Sequence, residues 1–454
     1  MKQTVQLSSA AWYGDHPLNL EFPATWEVAL IGAHPIPALT PTQMIEQFQQ
    51  PIGAPRLAEL AAGRKRAAII VDDSTRPTPA AQLLPFILSE LHQVGFADDA
   101  ITIIVAGGTH RPATSDEISK KLGAALPTGI TVSAHDSRRD CVYVGQSSRG
   151  TPLYVNQAVM ACDLKIGVGC IYPHPAAGFS GGSKIVMPAV CGSETVRHMH
   201  DYLRAARTRG GSLDTELRRE IEDVAARVGL DFIVNVVLNQ KRQIGGLFVG
   251  DRQLAHRRGV QWATNLYHIA PVHDAQIVVA DIYPFDINLQ FAHDRGFWPL
   301  EGLAPSVSKV GIAACSQGVG SHDLYPISHT LTARLARRLK HLQLKEFRDP
   351  WYKLQTMIHL WREKRQELLM YVPVWEGAQG LTPAQLHAVF PRAKLYAAWP
   401  QLLVELQTRH LQLPVKVAVY QCAPLLLPLP AVKVHITTSS RVAHQSERAF
   451  SKGI

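Results

Sequence analysis

Three short segments concentrate side chains able to move protons or hold anions. Asp72-Asp73-Ser74-Thr75-Arg76-Pro77-Thr78-Pro79 sets two carboxylates and an arginine on a proline-stiffened loop. Such a loop suits fixing an anion and a polar ring substituent, although a turn closed by an ion pair reads the same way. Gly107-Gly108-Thr109-His110-Arg111-Pro112 presents a histidine after two glycines that let the backbone approach a ligand. Histidine is the side chain best suited to exchanging a proton near neutral pH, but a lone loop histidine is as readily structural. The third segment, Tyr172-Pro173-His174-Pro175-Ala176-Ala177-Gly178-Phe179-Ser180-Gly181-Gly182-Ser183-Lys184, is the richest. It departs from a phosphate-binding P-loop, with Ser183 in place of the glycine before the lysine and Ile185 in place of the hydroxyl residue after it, so ATP hydrolysis is not expected. Glu194-Thr195-Val196-Arg197-His198-Met199-His200 follows with two more histidines. Cys170, His174 and Cys191 could meet at a zinc ion, but their spacing matches no structural zinc signature.

The elements around these segments read as an α/β protein. Apolar, β-branched runs at Ala67 to Val71 and Ile101 to Ala106 predict strands, and Leu83, Leu84, Ile87, Leu88, Leu91 and Val94 between them have helical spacing, closed by Gly95. Pro85 places the start of the regular helix at that residue. Thr114 and Glu117 have capping-box spacing. Leu164 to Val168 and Phe232 to Leu238 predict further strands, with an amphipathic helix from Ser212 to Gly229 between them. A second set follows at Gln276 to Asp281, Val310 to Ala314, Leu395 to Ala398 and Val415 to Tyr420. We expect two domains, residues 1–268 and 269–454, each a mostly parallel sheet flanked by helices, with the last residues packing back on the first domain. All three chemical segments then fall after strands, where open α/β sheets take their ligands, and the active site is expected in the interdomain cleft. The basic stretch from Arg334 to Arg365 alternates with leucine at helical intervals and reads as a solvated helix face.

Composition narrows the class. The 454 residues exceed one ordinary core, and 46% hydrophobic against 18% charged residues excludes a disordered chain. A formal charge of +9 favours anionic ligands, without the basic blocks or motifs of nucleic-acid binding. Six cysteines form no Cys-x-x-Cys pair, which suits a reducing compartment, and neither a signal-peptide core nor a membrane-spanning apolar run occurs. A cytoplasmic location is expected, with no membrane or nucleic-acid partner.

Taken together, these segments resemble the lactate racemases, whose patterns are D-x-T-R-P, G-x-H-R, H-x-x-A-G-(F/Y)-S-G-G-x-K and a downstream E-T…H. The likeness extends more loosely through Pro284-Phe285-Asp286-Ile287-Asn288 and Trp351. It implies a nickel-pincer nucleotide, a pyridinium mononucleotide with two sulfur-bearing arms, joined by a thioamide to Lys184 and supplied by separate maturation enzymes. Ser180, Gly181 and Gly182 would cradle it, and Asp73 and Thr75 would hold its polar groups or neighbouring side chains. His200 would ligate the nickel, with His198 as the fallback. His110 and His174 would be acid/base groups on opposite faces of a 2-hydroxy acid whose hydride moves reversibly to the cofactor through a 2-keto intermediate. Arg76 would bind the carboxylate, and Trp351 would line the substrate.

The family pattern x-Y-Q-x-x-K after D-I-N reads Leu289-Gln290-Phe291-Ala292-His293-Asp294 here, so a carboxylate stands where the family carries a lysine. That implies a racemase or 2-epimerase of a larger or polyhydroxylated acid rather than lactate, with Gln290 and Asp294 accepting hydrogen bonds from extra hydroxyls, or with Phe291 lining a pocket for a bulkier group. A non-catalytic carrier of the cofactor and a redox enzyme using it are the alternatives. The paired histidines speak against the first, and the absence of a second cofactor motif against the second.

Overall fold

The computed structural model describes residues 2–123, 126–203, 211–320 and 366–428, with backbone alone for residues 200–203. The chain opens with a hairpin of β1 (Lys2–Ser9) and β2 (His16–Pro23), followed by β3 (Trp26–Ile31). Strict alternation in β2 buries Leu18, Leu20 and Phe22 and turns Pro17, Asn19 and Glu21 outward.

The first large sheet is built from β4 (Ala67–Asp72), β5 (Ile101–Ala106) and β6 (Thr131–Ala134). A separate hairpin, β7 (Cys141–Gln146) and β8 (Pro152–Asn156), intervenes before β9 (Leu164–Cys170). A two-residue ladder then joins β10 (Pro173–His174) to β11 (Gly178–Phe179). After it come β12 (Phe232–Leu238) and β13 (Ile244–Gly250). The order is β13-β12-β9-β4-β5-β6, parallel throughout except for β13 on β12. β5, β9 and β12 are buried along their whole length, as central strands covered on both faces must be.

The short β14 (His268–Ile269) leads to β15 (Ile277–Asp281), β16 (Ser308–Ile312), β17 (Leu368–Tyr371), β18 (Ala393–Tyr396), β19 (Val415–Tyr420) and β20 (Leu427–Pro428). The second large sheet runs β18-β17-β16-β15-β19-β3 and is wholly parallel. Strand β3 thus departs from the expected division at residue 268: it edges the second sheet, paired with β19 from Trp26↔Val415 to Ile31↔Tyr420. The opening hairpin goes with it, since Leu7, Leu18, Leu20, Phe22 and Trp26 share one apolar core with Ile277, Val310 and Trp399. β20 returns to pair with β14. The basic stretch 334–365 and the residues after 428 lie outside the described residues.

Two helix starts differ from expectation. The first crossover helix spans Ala80–His92 straight through Pro85. The proline removes one hydrogen bond near the helix start, and burial of Leu83, Leu84, Ile87 and Leu91 offsets the loss. The later helix begins at Glu216, not Ser212, because the Thr215 hydroxyl caps it by accepting from Arg218 N at 3.1 Å while Ser212 Oγ takes Asp214 N. It ends as expected at Gly229, in the left-handed region at φ 80. The helix Ser115–Leu122 carries the complete Thr114/Glu117 capping box.

The halves meet through named contacts. Asp15 accepts from Arg242 Nε at 2.9 Å and from the Tyr283 hydroxyl at 2.7 Å. Trp12 lies under Arg242 Cζ at 4.1 Å and Lys121 Nζ at 4.8 Å. Gln317 Nε2 donates to Glu117 at 2.7 Å.

Candidate active site

The loop after β4 is held from beneath. Lys121, fully buried on the helix Ser115–Leu122, pairs with Asp72 at 2.6 Å and donates to the carbonyls of Asp73 and Arg76 at 3.1 and 2.9 Å. Thr78 Oγ1 donates to the other Asp72 oxygen at 2.6 Å. Burial raises the Asp72 carboxyl against the pull of Lys121, and burial lowers the Lys121 amine against the pull of Asp72. Asp72 is therefore a bracket for the loop, leaving Asp73 to face the cleft.

Asp73 meets neighbouring side chains. One oxygen accepts from Thr75 N at 3.2 Å and from the Thr75 hydroxyl; the other lies 2.6 Å from His110 Nδ1, with both side chains 10% exposed. Burial alone would raise this carboxyl, but the His110 ring, Arg76 and Thr75 hold it well below the usual carboxylate range. It is ionised at neutral pH, accepts the Nδ1 hydrogen of His110, and leaves Nε2 as that ring's basic atom. The close approach requires Gly107: a Cβ there would stand 2.9 Å from the Asp73 carboxylate.

His174 is set the opposite way. The β10–β11 turn brings the N–H groups of Ala176 and Ala177 to its Nδ1 at 3.2 and 3.1 Å, so the hydrogen of the neutral ring resides on Nε2. Burial, then Lys184, Arg295, Arg76 and Arg218, push its pKa well below the ordinary histidine value and keep the ring neutral.

The turn carrying Lys184 is shaped by Ser180, Gly181 and Gly182. Ser180 Oγ donates to Cys170 O at 2.5 Å, and His256 Nε2 donates to Ser180 O at 2.8 Å. Gly181 and Gly182 have φ 79 and 59, and a Cβ on either would come within 2.7 Å of Asn235 Oδ1 or the His256 ring. Ser183 donates to Glu222, which lies 3.6 Å from buried Arg218. The Lys184 amine has no hydrogen bond or ion pair among the described residues, and burial with Arg218, Arg295 and Arg76 nearby lowers its pKa well below the ordinary lysine value.

Phe291 joins the halves at this site. Its ring meets His110 edge-on at 5.2 Å, and Arg76 Cζ lies 5.1 Å from its centroid. Gln290 is buried, its side-chain oxygen without a partner among the described residues; Asp294 is 44% exposed, 3.3 Å from His293 Nδ1. His200 lies on the helix Ser193–Leu203, its side chain outside the described residues, and His198 on the same helix is exposed. Trp351 also lies outside the described residues. Among the described residues no three metal-ligating side chains cluster, so Cys170, His174 and Cys191 do not assemble as a zinc site.

Four participants carried no role in the sequence reading: Lys121, Arg218, Tyr172 and Arg295. Lys121 ends an exposed-looking helix turn, and Arg218 sits on the polar side of an amphipathic pattern. Tyr172 and Arg295 lie beside residues that were singled out, and proximity in the chain is the one signal that pointed to them.

Two mostly parallel sheets, with a lysine amine unpaired among the described residues and two oppositely set histidines, define an α/β protein with a candidate acid/base site. A family model, the lactate racemase N-terminal domain, matches residues 13–210. The chain is 34% identical over 251 residues to a lactate racemase of Lactiplantibacillus plantarum, covering 54% of this chain and 59% of that one. It is 30% identical over 285 residues to the lactate racemase of Thermoanaerobacterium thermosaccharolyticum, covering 61% and 66%. The matched part is thus less than two thirds of either relative. The apoprotein structure of a lactate racemase from T. thermosaccharolyticum superposes with a TM-score of 0.69 at 22% identity, over 94% of this chain and 100% of that one. A Thermotoga maritima protein superposes with a TM-score of 0.59 at 15% identity, over 87% and 99%. Residues 13–210 thus match the lactate racemase N-terminal domain, and the chain is similar to lactate racemases over part of their length.

Proposed function

We propose that the chain is a racemase or 2-epimerase of a 2-hydroxy carboxylic acid, working with a nickel-pincer nucleotide attached to Lys184. The observation that carries this reading is the opposed setting of the two histidines. His110 turns Nδ1 to the Asp73 carboxylate and so presents Nε2 as its proton-accepting nitrogen, while the neutral His174 ring carries its hydrogen on Nε2 because its Nδ1 accepts two backbone N–H groups. One ring can take a proton and the other can donate a hydrogen bond to the oxygen once it has moved, a pairing that suits inversion at a carbinol carbon.

The residues present fit the cofactor. Lys184 is an amine with no acid partner among the described residues, in surroundings that favour its uncharged, acylatable form. Gly181 and Gly182 let the turn pack directly on Asn235 and the His256 ring, which fixes where Lys184 stands. His200 would supply the nickel ligand. When bound, the group provides a reversible acceptor for the hydrogen on C2.

The chain's own residues do the rest. Arg76, oriented by Thr75 Oγ1 at 2.6 Å and by the Phe291 face, holds the substrate carboxylate. His110 Nε2 removes the hydroxyl proton, the carbon becomes planar, and the inverted oxygen is hydrogen-bonded by the Nε2–H of neutral His174 and reprotonated by the imidazolium that His110 has become. Both rings are thereby restored, and the same sequence run backwards serves the other enantiomer. Asp294 at the rim accepts from a further hydroxyl, so we expect a polyhydroxylated acid to outrun lactate.

The test is co-production with cofactor maturation enzymes, followed by intact mass, peptide mapping, nickel content and racemisation of a hydroxy-acid panel. An adduct on Lys184 with about one nickel per chain and inversion of a 2-hydroxy acid support the reading. An unmodified Lys184 under conditions that load another family member refutes it.

A further inference from the structure

The pattern around residue 294 looks like a charge reversal, yet the site has not lost its second cation. The helix Leu289–Gly296 is started by Asn288, whose side chain accepts Phe291 N at 2.9 Å. Residues four apart share a helix face, so Arg295 lies one turn beyond Phe291 on the face that meets His110 and Arg76. Asp294 turns instead toward solvent and His293. The Arg295 Nε is buried and has no hydrogen-bond partner among the described residues. The charged and polar groups acting on it are Tyr172, Arg76 and Asp294, and burial and Arg76 both disfavour its charge. Tyr172 is itself fixed, its ring edge against Phe285 at 4.8 Å. Two guanidinium groups on one cleft, one with a buried unsatisfied donor, form an arrangement that an anion between them relieves.

Resting on the function proposed above, we infer that Arg295 is a substrate-specificity residue, binding the carboxylate of the hydroxy acid together with Arg76 in place of a cation at residue 294. The fork of an arginine, reaching from one residue further along the helix, replaces a point charge with a planar two-donor grip. The acid is therefore held by its carboxylate from two sides, and Asp294 at the rim is left to select for donors elsewhere on the substrate.

The full chain, co-produced with maturation enzymes, is compared with Arg295→Gln, Arg295→Lys and Asp294→Asn, using oxalate as the carboxylate probe. Arg295→Gln should keep its cofactor adduct by intact mass while KM and the oxalate inhibition constant rise about 10- to 100-fold, with kcat changed less. Arg295→Lys should recover part of that loss, and Asp294→Asn should leave oxalate inhibition equal or tighter. An unchanged oxalate constant in Arg295→Gln overturns the inference. So does loss of the adduct in that variant, which would assign Arg295 to an anionic group of the cofactor. Phenylglyoxal labelling of the wild-type chain separates this inference from the proposed reaction. If oxalate slows modification of Arg295, the carboxylate site stands even where no hydroxy acid is inverted. If oxalate leaves the rate unchanged, the site falls whatever the activity.

Discussion

Lys184 places an amine among Arg76, Arg218 and Arg295 with no carboxylate paired to it among the described residues. Replacing it with methionine keeps the apolar stem and removes a half-buried amine with no acid partner among the described residues, whose desolvation costs about 1–3 kcal/mol. Some of that is recovered in the wild type by shedding the proton, so a gain of about 1–2 kcal/mol is expected for Lys184→Met in the cofactor-free chain at neutral pH. The pH dependence identifies the cause. Burial first, then the three arginines, lower the folded-state pKa below the ordinary lysine value of about 10.4. Between those two values the unfolded chain holds a proton that the folded chain does not, so the wild type loses stability as pH falls through that window. Methionine binds no proton. The difference between variant and wild type should therefore be small above about pH 10.4 and widen toward neutral pH. Urea unfolding of both chains, made without maturation enzymes, at a neutral and an alkaline pH reads this directly. A variant that is less stable at both pH values, or a difference that does not change between them, refutes the reasoning about Lys184.

Asp73→Asn should lower kcat/KM by roughly 30- to 1000-fold while the Lys184 adduct persists, because it removes a buried charge that orients His110; steady-state racemisation with intact mass checks it, and an unchanged kcat/KM counts against it. Gly182→Ala should cost about 1–3 kcal/mol in urea unfolding, since φ is 59 and the new Cβ would meet the His256 ring at 2.7 Å. An unchanged midpoint would show that the turn can move. Lys121→Met should cost about 3–5 kcal/mol by stranding Asp72, with Asp72→Asn in the same chain restoring part of it. If the double variant is no more stable than the single one, the ion pair is not what holds the loop.

Legibility followed burial. β5, β12 and β19 match their sequence ranges residue for residue, because a strand covered on both faces leaves a mostly apolar, β-branched run. The Thr114/Glu117 cap was equally plain, since its chemistry is local. β3 was invisible for the converse reason: as an edge strand it buries Trp26 and exposes Glu27 and Leu30, and its pairing is decided nearly the whole chain away. At the site, His110, His174 and Lys184 stood out because their residue types sit among glycine and proline after strands. Which carboxylate would orient His110 and which would serve the loop was not readable, since Asp72 and Asp73 are neighbours separated only by the pleat of β4. Lys121, Arg218 and Arg295 were missed because a long cationic side chain has the same sequence signature whether it reaches water or bends inward over a partner.

The pairing of β3 with β19 also dictates an order of events during synthesis. The hairpin and β3 leave the ribosome long before β19, and the sheet that receives them is closed only when Val415 to Tyr420 emerge. Until then Leu18, Leu20 and Phe22 have no core to enter, while β4, β5, β9 and β12 can already pair. The first half can thus mature early and the second must wait for both of its distant segments, a route of high contact order that leaves an apolar hairpin exposed to chaperones or to other nascent chains. A fragment cut at residue 268 would carry the edge of a sheet it does not contain and would leave the other fragment with an open one.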